Sequence, residues 1–341
     1  MRTAIRSFVI RVSGLILVSG FVIRILRLAH YHGVMLYRTL GKTKMSVSVI
    51  GIGTWQFGGE WGKDFAQPEV DAMFDRCREL GINLVDTAEC YGDHLSERFV
   101  GNAVKRDRER WIVATKFGHQ FHGFQNRTQG YQPADIRRQL EASLKALQTD
   151  YVDLYQFHSG KNDEFQTPGL WEMLAEQVKA GKVRHLGISV SPPDNVFQID
   201  RATSVGVEAV QVVYNRLERK PEAALLSSAQ KQNLGVLARV PLASGILTGK
   251  YKPGMQFAKS DWRSTADPKR HEERLRETQK IKETEVPPGT DMAQWALAWC
   301  LKHDAVACVI PGCKNVKQVE SNAAAAELAR KDHPLAVAAR T

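Results

Sequence analysis

Four polar residues, Asp86, Tyr91, Lys116 and His158, each stand at or just beyond the carboxyl end of a short apolar run. The runs are Ile82 to Val85, Trp111 to Ala114 and Val152 to Phe157, with Tyr91 in the loop after the first. Helical stretches separate them, so three strands would present these side chains to one mouth of a parallel barrel, where such barrels keep their chemistry. A phenol, with a pKa of about 10, is a poor acid at neutral pH, and an ammonium beside it lowers that value by stabilising the phenolate. A carboxylate can hold the ammonium charged and aimed, and an imidazole can orient or polarise a carbonyl oxygen. Together they make a proton donor to a developing alkoxide. That points to reduction, with the hydride supplied by a cofactor and no nucleophilic serine or cysteine needed. Taken singly, the four read as a cap, a half-buried aromatic, a rim charge and a core histidine. Their joint placement at one barrel end is what argues for function.

The elements that must position them alternate strand and helix. Val47 to Gly53 reads as the first barrel strand and Pro68 to Leu80 as a helix opened by Pro and closed by Gly81. Ala134 to Leu147 and Leu170 to Lys179 read as helices on apolar periodicity. Val183 to Ile188, Ala209 to Val213, Gly235 to Val240 and Ala305 to Ile310 complete eight strands. The expected fold is therefore α/β, a single (β/α)8 barrel of the TIM type. Lys252 to Pro268, rich in Pro, Gly and polar residues, reads as a mobile loop able to fold over a bound cofactor, and Arg270 to Glu285 as a solvated charged helix.

Composition is compatible with this. The chain has 341 residues, about one barrel with extensions, and ordinary apolar and charged fractions. Of the formal charge of +10, Arg2, Arg6, Arg11, Arg24 and Arg27 supply half, in a segment without acidic residues. With no basic stripe interleaved with aromatics, nucleic-acid binding is not expected. The odd cysteine set Cys77, Cys90, Cys300, Cys308 and Cys313 lacks a Cys-x-x-Cys pair and fits a reducing, cytoplasmic compartment. No metal is expected: His30 with His32, or Glu89 with Cys90, is too small a ligand set, and Lys116 nearby disfavours a cation.

At the four polar residues the chain resembles the aldo-keto reductase family. The segments are Asp86-Thr-Ala-Glu-Cys-Tyr91-Gly, Ser96-Glu97, Ala114-Thr-Lys116 and Asp153-Leu-Tyr-Gln-Phe-His158, and the likeness runs from about Met35 to about Asn322. By resemblance, Tyr91 is the general acid, Lys116 and Asp86 tune it, and His158 orients the substrate. A hairpin from Met35 through Leu40 would plug the barrel floor.

The segment Ile310-Pro-Gly312-Cys-Lys314 through Gln318 to Asn322 ends a strand and opens a helix, whose amino terminus offers free N–H groups and a positive dipole end to a phosphate. In the family this segment grips the adenosine 2'-phosphate, so Lys314, Gln318 and Asn322 imply NADPH/NADP+ rather than NADH. Further cofactor contacts implied by the resemblance are Gly53 and Thr54 at the first strand, Ser189 and Gln211 at the carboxamide, and Pro241, Leu242, Gly245 and Leu247 in the pyrophosphate loop. The family's Asn after Ser189 is here Val190, and its nicotinamide-stacking Tyr is here Arg239, whose guanidinium plane can also stack. The absence of a Gly-x-Gly-x-x-Gly turn argues against a Rossmann domain.

Trp55, Phe57, Trp61 and Phe117 are expected to line an apolar pocket, Trp295 and Trp299 to pack and Cys90 to be a small buried side chain; Cys313, beside the phosphate site, has a better case for modification than Cys90 because nearby cations favour thiolate, though the unmodified thiol is preferred. Residues 1–34 form an extension, 35–325 the barrel and 326–341 a tail. Val12 to Ile23 is apolar but short for a membrane span and lacks a cleavage pattern. A dispensable stretch is preferred over a membrane-surface segment, the one route to membrane contact, and over an export signal. The expected activity is reduction of a small carbonyl substrate, an aldehyde or ketone, to an alcohol. The rival is a nucleotide-binding regulatory subunit of the same fold with little turnover. Substrate identity and oligomeric state stay open.

Overall fold

Short runs of Val, Ile, Leu and Ala, buried on both faces, build the centre of the molecule. The computed structural model describes residues 35–330, together with the backbone of two paired strands, Leu17–Val18 and Phe21–Val22. The remaining readings of the extension, and of the tail beyond Arg330, lie outside the described residues. Eight strands pair side by side in chain order, all parallel. They are β1 Ile52–Gly53, β2 Leu84–Asp86, β3 Ile112–Phe117, β4 Val152–His158, β5 Val183–Ser189, β6 Val207–Val213, β7 Gly235–Arg239 and β8 Val306–Ile310. The first and last meet: Val309 N–H donates to Val49 O (2.9 Å), Gly51 N–H to Val309 O (2.8 Å) and Gly53 N–H to Pro311 O (3.0 Å). This closes the (β/α)8 barrel.

Side chains alternate across each strand. Leu84, Ala114, Leu154, Ala209, Leu237 and Cys308 point inward and form one cluster with Leu40 and Val47 of the floor hairpin, Tyr37–Thr39 paired with Ser46–Ser48. Full burial of a leucine contributes about 1.5 to 3 kcal/mol, so the interior is a packed core and not a pore. Gly41 (φ +51°) lets the hairpin press on β7, since a Cβ there would stand 2.2 Å from Gly235 N. Two residues further along, the same inward face carries Asp86, Lys116, Gln156, Gln211 and Arg239.

The second core layer lies between strands and helices. The α-helices of five or more residues are α1 Gln67–Glu79, α2 Leu95–Val104, α3 Pro133–Leu147, α4 Leu170–Lys179, α5 Val196–Asp200, α6 Leu225–Lys231, α7 Pro268–Thr284, α8 Met292–Leu301 and α9 Val316–Leu328. In α3, Pro133 opens the helix and Ile136, Leu140, Leu144 and Leu147 form its buried stripe. The charged α7 buries only Leu275, Thr278 and Ile281. Trp295 and Trp299 pack in α8 as expected. Among the described residues no helix is long and apolar enough to cross a membrane.

Two expectations are corrected, and one hairpin was not foreseen. The run Val47 to Gly53 is not one strand, because Val47 belongs to the floor hairpin while Val49 and Gly51 bond to Val309 and only Ile52–Gly53 pairs with β2. Lys252 to Pro268 is anchored within its length: Asp261 bridges to Trp61, and Trp262 N–H donates to Glu60 O at 3.0 Å. A hairpin that alternation did not announce, His119–Gly123 with Asn126–Gln129, follows β3.

Candidate active site

Lys116 reaches the barrel mouth from inside, fully buried, and its ammonium uses all three protons: to Asp86 Oδ1 (2.8 Å), Thr87 O (2.7 Å) and Tyr91 Oη (3.2 Å). Because the phenol oxygen accepts from Lys116, its own hydrogen is left to point at another acceptor, in the cavity that Tyr91 lines. Asp86 Oδ2 accepts from Gln211 Nε2 (2.6 Å) and Gln156 Nε2 (3.3 Å). Both carboxylate oxygens are thereby held, and the relay is braced from three strands.

The loop after β2 fixes Tyr91. Its motif glycine, Gly92 (φ +69°), passes so close to Gly58 that a Cβ would fall 2.7 Å from Gly58 O. Ser96 Oγ donates to Thr54 O (3.0 Å), and Thr115 Oγ1 donates to buried Glu97 Oε1 (2.5 Å). Ser96 and Glu97 thus tie the start of α2 to the ends of β1 and β3, which holds the tyrosine loop over the barrel.

Electrostatics correct one expectation. Burial pushes the Tyr91 phenol up to about 12; the Lys116 ammonium works against that without overcoming it. Burial opposes charge on Lys116 too, but Asp86 and Tyr91 hold its ammonium above the ordinary lysine value. At neutral pH the phenol therefore keeps its proton and the lysine its charge. Burial, then the cations Lys116, Arg239 and Arg127, hold His158 well below its usual value, so its imidazole is neutral. Its ring stacks on His119 at 4.2 Å between centroids and 10° between planes.

A cavity of about 870 Å³ runs from Tyr91 and His158 to the amino terminus of α9. Of the sequence-derived cofactor residues, Gly53, Thr54, Gln211, Arg239, Pro241, Leu242, Gly245, Gly312, Lys314, Gln318 and Asn322 line it. Ser189 lies behind the wall, with Oγ 3.4 Å from Gln211 Oε1, and Leu247 is in the buried core. Gln211 turns its amide nitrogen to Asp86, so its role includes bracing the relay. Lys314 Nζ donates to Trp61 O (2.6 Å) and its N–H donates to Gln318 Oε1 (2.8 Å). Asn315 caps α9 by accepting from Gln318 N–H (3.0 Å).

Trp55 and Trp61 line the cavity; Phe57 and Phe117 do not, because they fill the layer between strands and helices. Trp55 stacks between Tyr91 (6.1 Å) and Trp262 (5.2 Å), so the anchored loop extends the aromatic wall. Cys313 is buried, and burial pushes its thiol up to about 12, so the nearby cations do not make it a thiolate. Sequence reasoning missed Gln56, His119, Arg127 and Gln129, which also line the cavity. It missed Gln156 as well, although its place two residues before His158 puts both on one strand face.

The residues fit a dinucleotide. The cavity has the size of a cofactor site, one end carries the proton relay, and the other carries a helix amino terminus with Lys314 and Lys317 beside it. The Arg239 Nε atom, buried between these ends, has no partner among the described residues.

Comparison with known proteins agrees. The Aldo/keto reductase family profile matches residues 49–336. Aldo-keto reductase YhdN of Bacillus subtilis is 31% identical over 301 residues, covering 84% of this chain and 87% of the relative. A probable voltage-gated potassium channel subunit beta of Arabidopsis thaliana is 28% identical, covering 86% and 92%. The solved structure of aldo-keto reductase AKR11C1 from Bacillus halodurans, holo form, superposes with a TM-score of 0.71 at 30% identity, covering 85% and 90%. With eight parallel strands bringing an acid, a lysine, a phenol and an imidazole to one mouth, and a match over most of its length, this chain belongs to the aldo/keto reductase family, oxidoreductases acting on carbonyl groups.

Proposed function

We propose that the protein reduces an aldehyde or ketone to the alcohol with NADPH, and that Tyr91 gives the proton. The reading rests on one observation above all: Lys116 donates to the Tyr91 oxygen while Asp86 and Thr87 hold its other two protons. Bound NADPH would supply the hydride from nicotinamide C4 to the carbonyl carbon. Tyr91 transfers its proton to the carbonyl oxygen as negative charge develops there, and the Lys116 ammonium stabilises the phenolate left behind. Neutral His158 can donate an N–H to the same oxygen and set its position. Trp55, Trp61 and Trp262 form an aromatic cluster beside this end. Arg239, Lys314, Lys317 and the α9 amino terminus would meet the nucleotide, the last three at the phosphate that distinguishes NADPH from NADH. Five buried free cysteines agree with a cytoplasmic setting.

The likeness to a potassium channel subunit beta keeps one alternative, a nucleotide-binding regulatory subunit, in view. A complete proton relay favours the enzyme. NADPH consumption with a panel of aromatic and aliphatic aldehydes decides between them: turnover supports the reductase, whereas nucleotide binding without turnover supports the regulatory role.

A further inference from the structure

The loop that carries Tyr91 turns back through three successive left-handed residues, Gly92 (φ +69°), Asp93 (φ +51°) and His94 (φ +61°). Glycine adopts that backbone freely, but a histidine is disfavoured there and persists only where its surroundings hold it. At His94 the holding contact is a carboxylate: Nδ1–H donates to Glu97 Oε2 at 2.5 Å. Glu97 is fully buried, the imidazole is 19% exposed, and among the described residues His94 is the one ion-pair partner of Glu97. A buried carboxylate deprived of its cation is strongly destabilised, unlike one at the surface.

Lys116 and Tyr91 both connect to this pair. Glu97 Oε1 accepts from Thr115 Oγ1, and Thr115 immediately precedes Lys116 on β3. Ser96, the residue before Glu97, donates its N–H to Tyr91 O at 3.1 Å, and the His94 N–H donates to Glu89 O at 2.7 Å. The pair thus stands between the tyrosine loop and the lysine strand, and the contact that it steadies is the 3.2 Å one between Lys116 Nζ and Tyr91 Oη. The charges around the imidazole favour its protonated form. Glu97 faces it from α2, and Glu89 and Asp93 from the loop; β3 contributes to Glu97 only the neutral Thr115 hydroxyl, and Arg98 turns its guanidinium to Asp93 O. Burial and the amino end of α2 oppose a charge here, but the three carboxylates outweigh them and hold the imidazole above its ordinary value.

We propose that His94 is a positioning residue of the relay: its imidazolium pins Glu97, and loss of that proton loosens the tyrosine loop, lengthens the Tyr91–Lys116 contact and slows proton transfer to the carbonyl oxygen. The sign follows from the raised value. The bracing is complete below the unfolded histidine value of about 6.5 and is lost as pH rises through the higher folded one. The slowing rests on the reductase reading; the coupling of His94 to Tyr91 does not.

The test therefore begins with the full chain, free of nucleotide and carbonyl, with isotope-labelled histidine and tyrosine rings read by NMR. His94→Asn and Tyr91→Phe assign the two resonances. Asparagine tolerates the left-handed backbone and keeps an N–H for Glu97 but cannot titrate, and His94→Gly suits the backbone with neither property. Between about pH 6 and about pH 9, the His94 signal should titrate with a midpoint above about 6.5, and the Tyr91 ring signal should move with it. His119 and His158, held low by burial, titrate below this range. In whichever of the two His94 variants thermal melts show to be folded, the Tyr91 signal should stay flat. A purely structural role would lower the melting temperature of the variants and leave the Tyr91 signal of the unaltered chain flat as well. Turnover of the unaltered chain should fall by about tenfold through the same midpoint with KM nearly unchanged, and the step should vanish in His94→Asn. A His94 midpoint at or below about 6.5 overturns the proposal, as does a Tyr91 signal indifferent to that midpoint or a Tyr91 step that persists without His94. Coupling without a fall in turnover overturns the slowing alone. If no carbonyl is turned over at all, the reductase reading fails while the Tyr91 signal still decides the coupling.

Discussion

The two ends of the cavity are built differently. At the reaction end, Asp86, Lys116, Gln156 and Gln211 sit on barrel strands, are buried, and hydrogen-bond to one another. At the proposed nucleotide end, Lys314 comes from a loop and Gln318 and Asn322 from α9, and their bonds are to nearby groups: Lys314 to Trp61 O, Gln318 to Lys314 N–H, Asn322 to Cys313 Sγ. Lys116 has all its protons taken by the relay, whereas Lys314 keeps donors to spare. Burial and the cations Arg263 and Lys63, only partly offset by Asp261, hold the Lys314 ammonium below its ordinary value, so an added phosphate would relieve it. The difference teaches where preorganisation lies. On the proposed function, chemistry is fixed by strand pairing before a ligand arrives, and nucleotide recognition is left to groups that can exchange partners.

The largest test of this contrast is Lys116→Met. It leaves Asp86 buried without its cation, which should cost about 3 to 5 kcal/mol of stability, read by urea unfolding at neutral pH. The sign follows from the lysine. Its value is raised in the folded chain, so its stabilisation is complete below the unfolded lysine value and is lost only as pH rises through the folded one. Turnover should also fall, and the alkaline limb for alcohol oxidation should move up, because the charge that pulls Tyr91 down is gone. An unchanged limb would separate the lysine from the phenol.

Tyr91→Phe removes the proton donor and keeps the ring on Trp55. Turnover should drop by about 100-fold or more with NADPH affinity nearly unchanged, measured by stopped-flow reduction and fluorescence titration. Near-normal turnover would defeat the proton route. At the other end, Lys314→Ala should weaken NADPH by roughly 10-fold to 150-fold and leave NADH within about threefold. Its effect on NADPH should shrink with added salt. Equal weakening of both nucleotides would mean that the loop has lost its shape through the lost bond to Trp61, and no weakening would move the phosphate site elsewhere.

Much of the barrel was legible because parallel strands buried on both faces leave continuous apolar runs, and observed β4 begins at the predicted Val152. Val47 to Gly53 misled because an apolar run does not say which partner it will bond, and here the hairpin and β8 share it. The hairpin carrying His119, Arg127 and Gln129 was not legible, since its exposed polar residues lack a hydrophobic pattern.

By itself, the sequence determined the strand–helix alternation and the four polar residues that the barrel brings to one mouth, since residue type and place at strand ends are local properties that survive in a linear string. The tertiary structure alone decided the rest. Desolvation sets the Tyr91 phenol high and keeps the Cys313 thiol protonated, and it depends on atoms from every element packed around a group. The meeting of Cys90 with His119 and His158, and of Gln211 with Asp86, likewise depends on barrel closure, which brings distant segments within hydrogen-bonding reach by a geometry no spacing along the chain encodes.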